Sequence, residues 1–167
     1  MIAIVSLVGI LLMMLVELRI SRKHEHELLR QGAVEPPDPV FSTMRWAYPG
    51  SFVAMAIEGA LTGLSPGLLT IVGAGLFIAA KALKGWAIAS LGTRWTYRVL
   101  VLPDAPLVAH GPYRFLRHPN YVGVVGELVG MALIVQAPIT GVLSVIGFGY
   151  LLHRRIRAEE QALGLHS

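Results

Sequence analysis

Residues 111–128 read GPYRFLRHPNYVGVVGEL and contain the transition that defines the architecture. The first half is polar and basic and is interrupted by Pro112 and Pro119, whereas the second half runs directly into an apolar segment. That segment continues to residue 136, and Pro138 separates it from another apolar run of similar length. Two short apolar runs joined by so few residues predict a tight helical hairpin with a polar loop at its entrance.

The composition places this hairpin in a membrane protein. Of the 167 residues, 54% are hydrophobic and only 14% are charged, and the mean hydropathy is +0.63. Soluble domains average about 25% charged residues. The chain has no cysteine, which excludes disulfides, thiolate nucleophiles and cysteine-ligated zinc. Its length indicates one domain, residues 1–167.

Five apolar segments approach the roughly 20 residues that a spanning helix needs. A polar loop, residues 92–120, separates the third segment from the fourth, and a polar tail, residues 154–167, follows the fifth. We therefore predict an all-α integral membrane protein with five transmembrane helices. The predicted spans are residues 2–18, 47–64, 68–91, 121–136 and 139–153.

The distribution of basic residues predicts the orientation. With the N-terminus outside, the cytoplasmic segments are residues 19–46, 81–120 and 153–167, and they contain all 14 Lys and Arg residues. The external connections, residues 62–67 and 137–140, contain none. Because cytoplasmic loops carry an excess of Lys and Arg, we predict that the polar loop and the C-terminus are cytoplasmic.

Two short motifs have simpler interpretations than a ligand site. Gly73-Ala74-Gly75 lies in an uncharged apolar run without a preceding strand, which favours close helix packing over a nucleotide loop. His24 and His26 are two residues apart and point away from each other on a helix. A solvated helix is therefore favoured over a metal site, and no metal site is predicted.

A hairpin of the last two spans returns the chain to the membrane depth at which it entered. The segment His118–Tyr121 then lies beside residues 155–160, where Arg155 and Glu159 share one helix face. Head-group contacts explain single arginines at such a surface, but the two prolines fix the loop more rigidly than such contacts need. The ensemble is suited to holding a polar, zwitterionic small molecule at the membrane surface.

The pattern GPYxxxRHPxY at residues 111–121, followed by RxxxEE at residues 155–160, resembles the isoprenylcysteine carboxyl methyltransferase family. The likeness extends over residues 91–163 and is long and specific. The earlier stretch from Glu17 to Glu35 is similar to the small bacterial branch of that family, some members of which methylate alkylpyrones.

The resemblance implies S-adenosylmethionine as the cofactor and S-adenosylhomocysteine as its product. It also implies that Arg155 faces the methyl acceptor, and it adds Arg98, Arg117 and Glu160 as further candidates for the cofactor pocket. The residues that it places in that pocket are Ala105, Pro106, Leu107, Val108, Tyr113, His118, Pro119, Asn120, Tyr121 and Glu159.

Methyl transfer from a sulfonium fits these residue types. The reaction is an in-line displacement in which opposite charges partly cancel, so an acceptor that is already anionic needs no general base. Proximity and orientation, worth about 7–11 kcal/mol of barrier, are then the main contribution of the protein. Arg155 can hold an anionic oxygen because its guanidinium stays charged. His118 serves either as a cofactor contact or as an acid–base group.

Two acids, Glu58 and Glu127, lie well inside predicted spans. Glu127 is six residues beyond Tyr121, or about 9 Å deeper at roughly 1.5 Å per residue. Lys81 and Lys84 lie at a comparable depth in the third span, so Glu127 either pairs with them or lines a channel for the acceptor. Glu58 lies nearer the outer end of its helix, and the sequence assigns it no role.

We therefore expect S-adenosylmethionine-dependent methyl transfer to a carboxylate or acidic enol of a lipophilic small molecule. The cofactor would come from the cytoplasm, and the acceptor from the lipid bilayer of a bacterial inner membrane. A phospholipid or other amine methyltransferase and a non-catalytic lipid-binding scaffold are the alternatives. No nucleic-acid partner is expected, and the sequence does not predict the oligomeric state.

Overall fold

A computed structural model describes residues 1–63, 65–103 and 105–164. Within this part of the chain the fold is all-α, as predicted, and has five α-helices. They are α1 (Ile2–Arg30), α2 (Phe41–Thr62), α3 (Leu68–Leu91), α4 (Pro119–Val135) and α5 (Pro138–Ala162). Leu64, Asp104 and residues 165–167, which belong to the predicted second span, loop and tail, lie outside the described residues.

Two of the helices are long and apolar enough to cross a membrane. They are α1 and the segment Leu68–Arg94 that contains α3, while α4 is apolar but shorter. Many large apolar side chains on the outer surface of α1 are exposed, including Val5, Leu12 and Leu15. Because soluble monomers rarely expose large apolar patches, this surface is suited to contact with lipid.

The helices extend beyond the predicted spans at their polar ends. The first predicted span stops at residue 18, but α1 continues to Arg30 and ends where Gly32 adopts a positive φ of 87°. Similarly, α5 continues beyond residue 153 to Ala162. The reason is physical, since hydropathy reports where the apolar run ends, whereas Arg, Lys, Glu and Leu continue a helix beyond that point at little cost.

Glycines bring α3 and α4 into close contact. A Cβ at Gly130 would lie 2.8 Å from the Cβ of Phe77, and one at Gly73 would lie 2.7 Å from the backbone nitrogen of Ile134. Such short distances leave room only for hydrogen. Gly73 therefore packs against α4 as the small-residue interpretation expected, whereas a Cβ at Gly75 would have no heavy atom within 4 Å.

The connection between α4 and α5 is a tight turn. Gln136 ends α4 in the left-handed conformation with a φ of 54°, and Pro138 opens α5 at its first turn. Glu58 of α2 caps this new helix, because its carboxylate accepts hydrogen bonds from the backbone of Ile139 at 3.0 Å and of Thr140 at 2.7 Å. A carboxylate is favourable at a helix N-terminus, which gives Glu58 a structural role that the sequence did not indicate.

Candidate active site

A cavity of about 410 Å³ lies at the end of the bundle where α4 begins and α5 ends. Its wall comes from the loop after α3, the start of α4 and the end of α5. The predicted site residues that line it are Arg98, Leu107, Val108, Tyr113, Arg117, His118, Asn120, Tyr121, Arg155, Glu159 and Glu160. Ala105, Pro106, Pro119 and Glu127 lie outside this lining.

Gly111, near the end of the loop, packs directly against α3. Gly111 has a φ of 61°, and a Cβ there would lie 2.0 Å from the Ser90 hydroxyl oxygen. Only glycine therefore fits this turn, which leads into the short 3₁₀ helix Gly111–Arg114. Pro112 and Pro119 are buried and begin this short helix and α4, respectively. The two prolines thus lie directly before Tyr113 and directly after His118. Pro119 does not line the cavity itself, but it fixes the backbone beside His118.

The Tyr121 hydroxyl joins two elements of the cavity wall. It donates a hydrogen bond to Glu159 Oε2 at 2.9 Å and accepts one from Arg155 Nε at 3.2 Å. The start of α4 and the end of α5 are therefore linked by side chains that share a single hydroxyl. This is the juxtaposition that the hairpin predicted for these segments.

His118 lies between two carboxylates. Its Nε2 is 3.1 Å from Glu160 Oε1, and its Nδ1 is 3.8 Å from Glu159 Oε2. The imidazole ring also stacks on Tyr121 with a centroid distance of 5.6 Å. Because a ring N–H can donate to Glu160, these contacts fix the orientation of the imidazole at the cavity wall.

Arg155 is buried and extensively hydrogen-bonded. Its Nη1 donates to Asp38 Oδ2 at 2.7 Å, its Nη2 donates to the Tyr97 carbonyl, and its guanidinium lies 5.6 Å from the centre of the Phe41 ring. Burial alone would lower the pKa of Arg155, but the neighbouring Tyr121 and Asp38 outweigh burial and raise that pKa above its ordinary value. The arginine therefore stays charged, and Asp38 offsets its charge.

The other arginines of the site make weaker contacts. Arg98 forms a two-pronged ion pair with Glu35, at 2.7 Å from Nε and 2.5 Å from Nη2, and both side chains are partly exposed. Arg94 donates to the Pro106 carbonyl, so Pro106 stabilises the wall without lining the cavity. Arg117 lines the cavity and is exposed.

Aromatic side chains form the apolar part of the wall. Trp95 is buried, and its indole N–H donates to Asn120 Oδ1 at 3.3 Å. Burial, and secondarily the negative charge of Glu159, raise the pKa of Tyr113. Tyr113 is therefore a neutral phenol across the physiological range. His24 Nδ1 lies 2.8 Å from the Trp95 carbonyl oxygen, so this histidine is a structural contact rather than a simply solvated residue.

Glu127 belongs to a buried cluster of charges beneath the cavity. Its carboxylate oxygens lie 3.0 Å from Lys81 Nζ and 3.4 Å from Lys84 Nζ, and it accepts a hydrogen bond from the Tyr48 hydroxyl at 2.7 Å. Glu17 completes the cluster, at 2.8 Å from Lys81 and 2.7 Å from Lys84. These are the contacts expected of the ion-pair alternative.

Sequence reasoning missed several residues that support the site. Asp38 and Tyr97 bind Arg155, while Glu17 and Tyr48 complete the charge cluster. The sequence did contain a signal for Glu17, because an acidic residue at the end of an apolar span usually has a structural or functional partner. Tyr97 contributes a backbone carbonyl, for which side-chain identity gives no signal.

Sequence comparisons identify proteins that are similar to this chain. The sequence profile of the "Isoprenylcysteine carboxyl methyltransferase (ICMT) family" matches residues 72–165. The "Uncharacterized protein YpbQ" of Bacillus subtilis is 33% identical over 154 residues, which are 90% of each chain. An "Uncharacterized protein" of Haemophilus influenzae is 29% identical over 147 residues, covering 87% of this chain and 86% of its own. No solved structure matches. The chain belongs to the isoprenylcysteine carboxyl methyltransferase family.

Proposed function

We propose that this protein transfers a methyl group from S-adenosylmethionine to an oxygen of a lipophilic small molecule at the membrane. The family to which it belongs is a methyltransferase family. The observation that carries the proposal is the linked set of Arg155, Tyr121 and Glu159, with His118 beside it, in the wall of one cavity. These are the residues of the pattern that the family resemblance singled out.

The donor set of the cavity fits this cofactor. Glu159 and Glu160 place carboxylates at a site for a molecule that carries a sulfonium and an ammonium group. Trp95 and Tyr113 supply aromatic surface for its adenine, and Arg117 is available for its carboxylate. When bound, S-adenosylmethionine would supply an electrophilic methyl group. The protein residues would bind and orient the two reactants, which is where most of the barrier reduction arises.

A second, apolar groove supports a lipophilic acceptor. It has a volume of about 520 Å³ and lies between α2 and α5, where Gly50, Ala54 and Gly147 provide room for an aliphatic chain. The groove reaches Leu151, one helical turn before Arg155 on α5. A tail in this groove would place its polar head at Arg155, whose guanidinium can orient an oxygen.

The reaction needs no general base when the acceptor is a carboxylate or an acidic enol. Arg155 would hold the acceptor oxygen, and the Tyr121–Glu159 bond would keep the arginine aligned. His118 would act as a cofactor contact oriented by Glu160. The enzyme would lie in the bacterial inner membrane with the cavity toward the cytoplasm, because every Lys and Arg falls in the segments predicted for that side.

Binding of S-adenosylhomocysteine tests the proposal. Calorimetry on the purified protein in detergent should detect binding by the parent, and His118→Ala and Glu159→Ala should abolish it. Glu27→Ala is a matched control, since that carboxylate bonds only to Gln31 among the interactions described on α1. Absence of binding by a folded parent would refute the methyltransferase proposal and favour the lipid-binding scaffold.

One observation favours an amine acceptor as the second candidate. Asp38 offsets the charge of Arg155, and Glu159 and Glu160 add two more carboxylates to the same region. Carboxylates can bind an amine in its ammonium form and accept the proton that it must lose before the methyl transfer. Isotope-labelled methyl transfer to a lipid extract distinguishes the two, because mass spectrometry of the labelled product separates a methyl ester or methyl enol ether from an N-methyl group.

A further inference from the structure

Asp38 lies outside the cavity, yet it forms an ion pair with Arg155. It belongs to the connection between α1 and α2, and 117 residues separate it from Arg155. Its Oδ2 is 2.7 Å from Arg155 Nη1, and the side chains of Asp38 and Arg155 are only 6% and 7% exposed. A buried, charge-assisted hydrogen bond of this kind is short and directional.

The second oxygen of Asp38 is held just as firmly. Asp38 Oδ1 accepts hydrogen bonds from the backbone N–H groups of Val40 at 3.2 Å and Phe41 at 3.1 Å. These donors open α2, where the helix dipole favours a negative charge. The carboxylate is therefore fixed to α2 on one side and to α5 on the other.

The guanidinium is consequently held at three of its nitrogens. Asp38 accepts from Nη1, the Tyr97 carbonyl accepts from Nη2, and the Tyr121 hydroxyl accepts from Nε. A guanidinium is planar and has five N–H groups. Three fixed contacts set its plane, and among the described residues two N–H groups remain to serve the cavity that Arg155 lines.

We propose that Asp38 is a positioning residue of this site. It fixes the plane of Arg155 and offsets its charge, so that the arginine acts on a ligand as a directed hydrogen-bond donor rather than as an uncompensated cation. The effect on turnover rests on the proposed methyltransferase function, whereas the effect on the charge of Arg155 does not.

Asp38→Asn separates the two roles of the carboxylate. Asparagine is as good as aspartate at a helix N-terminus, so its side-chain oxygen can retain the bonds to α2. Its NH₂ group would then oppose the guanidinium, and Arg155 would lose its counter-charge. Glu35→Gln is the matched control, because it removes a carboxylate from an arginine pair on the same connection that is partly exposed.

The first measurement is thermal unfolding in detergent with and without millimolar sulfate. An uncompensated Arg155 should bind sulfate, and a ligand that binds only the folded state raises the melting temperature. We expect sulfate to raise the melting temperature of Asp38→Asn more than that of the parent. Glu35→Gln, which frees the partly exposed Arg98, should respond less than Asp38→Asn. An equal response in Asp38→Asn and the parent would overturn the proposal.

The second measurement separates positioning from folding. The turnover number of Asp38→Asn, assayed with a long-chain 4-hydroxy-2-pyrone, should fall by about tenfold to 100-fold, the loss expected of a misplaced catalytic contact. S-adenosylhomocysteine should still bind within about twofold of the parent, because Asp38 does not line the cavity. Asp38→Glu should recover part of the turnover. Unchanged turnover in Asp38→Asn would refute the positioning role.

A double variant covers the case in which Asp38→Asn fails to fold. Asp38→Asn combined with Arg155→Gln removes both charges and should fold, since the penalty arises from the buried charge left unpaired. If the double variant also fails to fold, the loss does not come from an unpaired Arg155 and the proposal is wrong. If the parent itself fails to bind S-adenosylhomocysteine, the methyltransferase proposal fails, while the sulfate response still decides the role of Asp38.

Discussion

Replacement of Glu127 by glutamine should destabilise the fold rather than impair the chemistry alone. Glu127 has no exposed surface, lies 3.0 Å from Lys81 Nζ and accepts a hydrogen bond from the Tyr48 hydroxyl at 2.7 Å. Glutamine has nearly the same shape and can still accept that hydrogen bond. The substitution therefore removes a charge while leaving the packing almost unchanged.

The magnitude follows from the charge balance of the cluster. Glu17 and Glu127 face Lys81 and Lys84, and all four contacts between them are 3.4 Å or shorter. Without Glu127, the two lysines share Glu17 and one buried positive charge is uncompensated. Breaking a buried pair costs about 3–5 kcal/mol. The side chain of Lys81 is 17% exposed, so water still solvates part of its charge. The expected loss of stability is therefore at the lower end of that range, about 3 kcal/mol.

Equilibrium unfolding in mixed micelles measures this cost. Glu127→Gln should lose about 3 kcal/mol of the free energy of unfolding, and Lys81→Met added to it should recover more than half of the loss by restoring the balance. Glu27→Gln is the matched control, because it removes a carboxylate from a solvent-exposed contact on α1. A Glu127→Gln protein that is as stable as the parent but has no turnover would refute the ion-pair reasoning and place Glu127 in an acceptor channel.

Three further predictions follow from individual contacts. Gly130→Ala should cost about 1–3 kcal/mol in the same unfolding assay, because the added methyl would lie 2.8 Å from the Cβ of Phe77, while Gly75→Ala, with nothing within 4 Å, should be neutral or slightly stabilising. Tyr121→Phe should lower the turnover number about tenfold, since the hydroxyl that joins the arginine to the glutamate is worth about 1–2 kcal/mol; full turnover would show that this bridge is not used. The stability of the protein should fall in alkali because of Tyr113. Burial raises the pKa of this phenol in the folded state, so the phenol ionises first in the unfolded chain, near pH 10.0. The free energy of unfolding should therefore fall as the pH rises above that value, and Tyr113→Phe should reduce the fall in denaturation curves.

The sequence predicted the helices well and their ends poorly. Apolar runs of sufficient length identify the apolar part of each helix, and α3 has the predicted bounds Leu68–Leu91. The other limits depend on local chemistry, such as the positive φ of Gly32 beyond α1 and the prolines that open α4 and α5. Hydropathy cannot report a helix that continues into water.

Many residues that the sequence singled out line the cavity, because they cluster in two short segments. Residues 111–121 and 155–160 contain Tyr113, Tyr121 and Glu159, which line one wall. Asp38 could not be predicted in the same way, since 117 residues separate it from the arginine that it binds. A single sequence contains no signal for such a distant pair. Only the fold brings them together.

Two arginines of the site illustrate what the fold adds. Arg98 and Arg155 were both predicted in the site, and each pairs with an acid of the connection between α1 and α2. The Arg98 pair is about 40% exposed on the arginine side, where such pairs are worth roughly 0–1 kcal/mol. The Arg155 pair is buried, where removing one partner is several times more costly. The residue types do not reveal burial. Burial makes the Arg155–Asp38 pair, rather than the Arg98–Glu35 pair, the one that can hold its arginine in a fixed orientation.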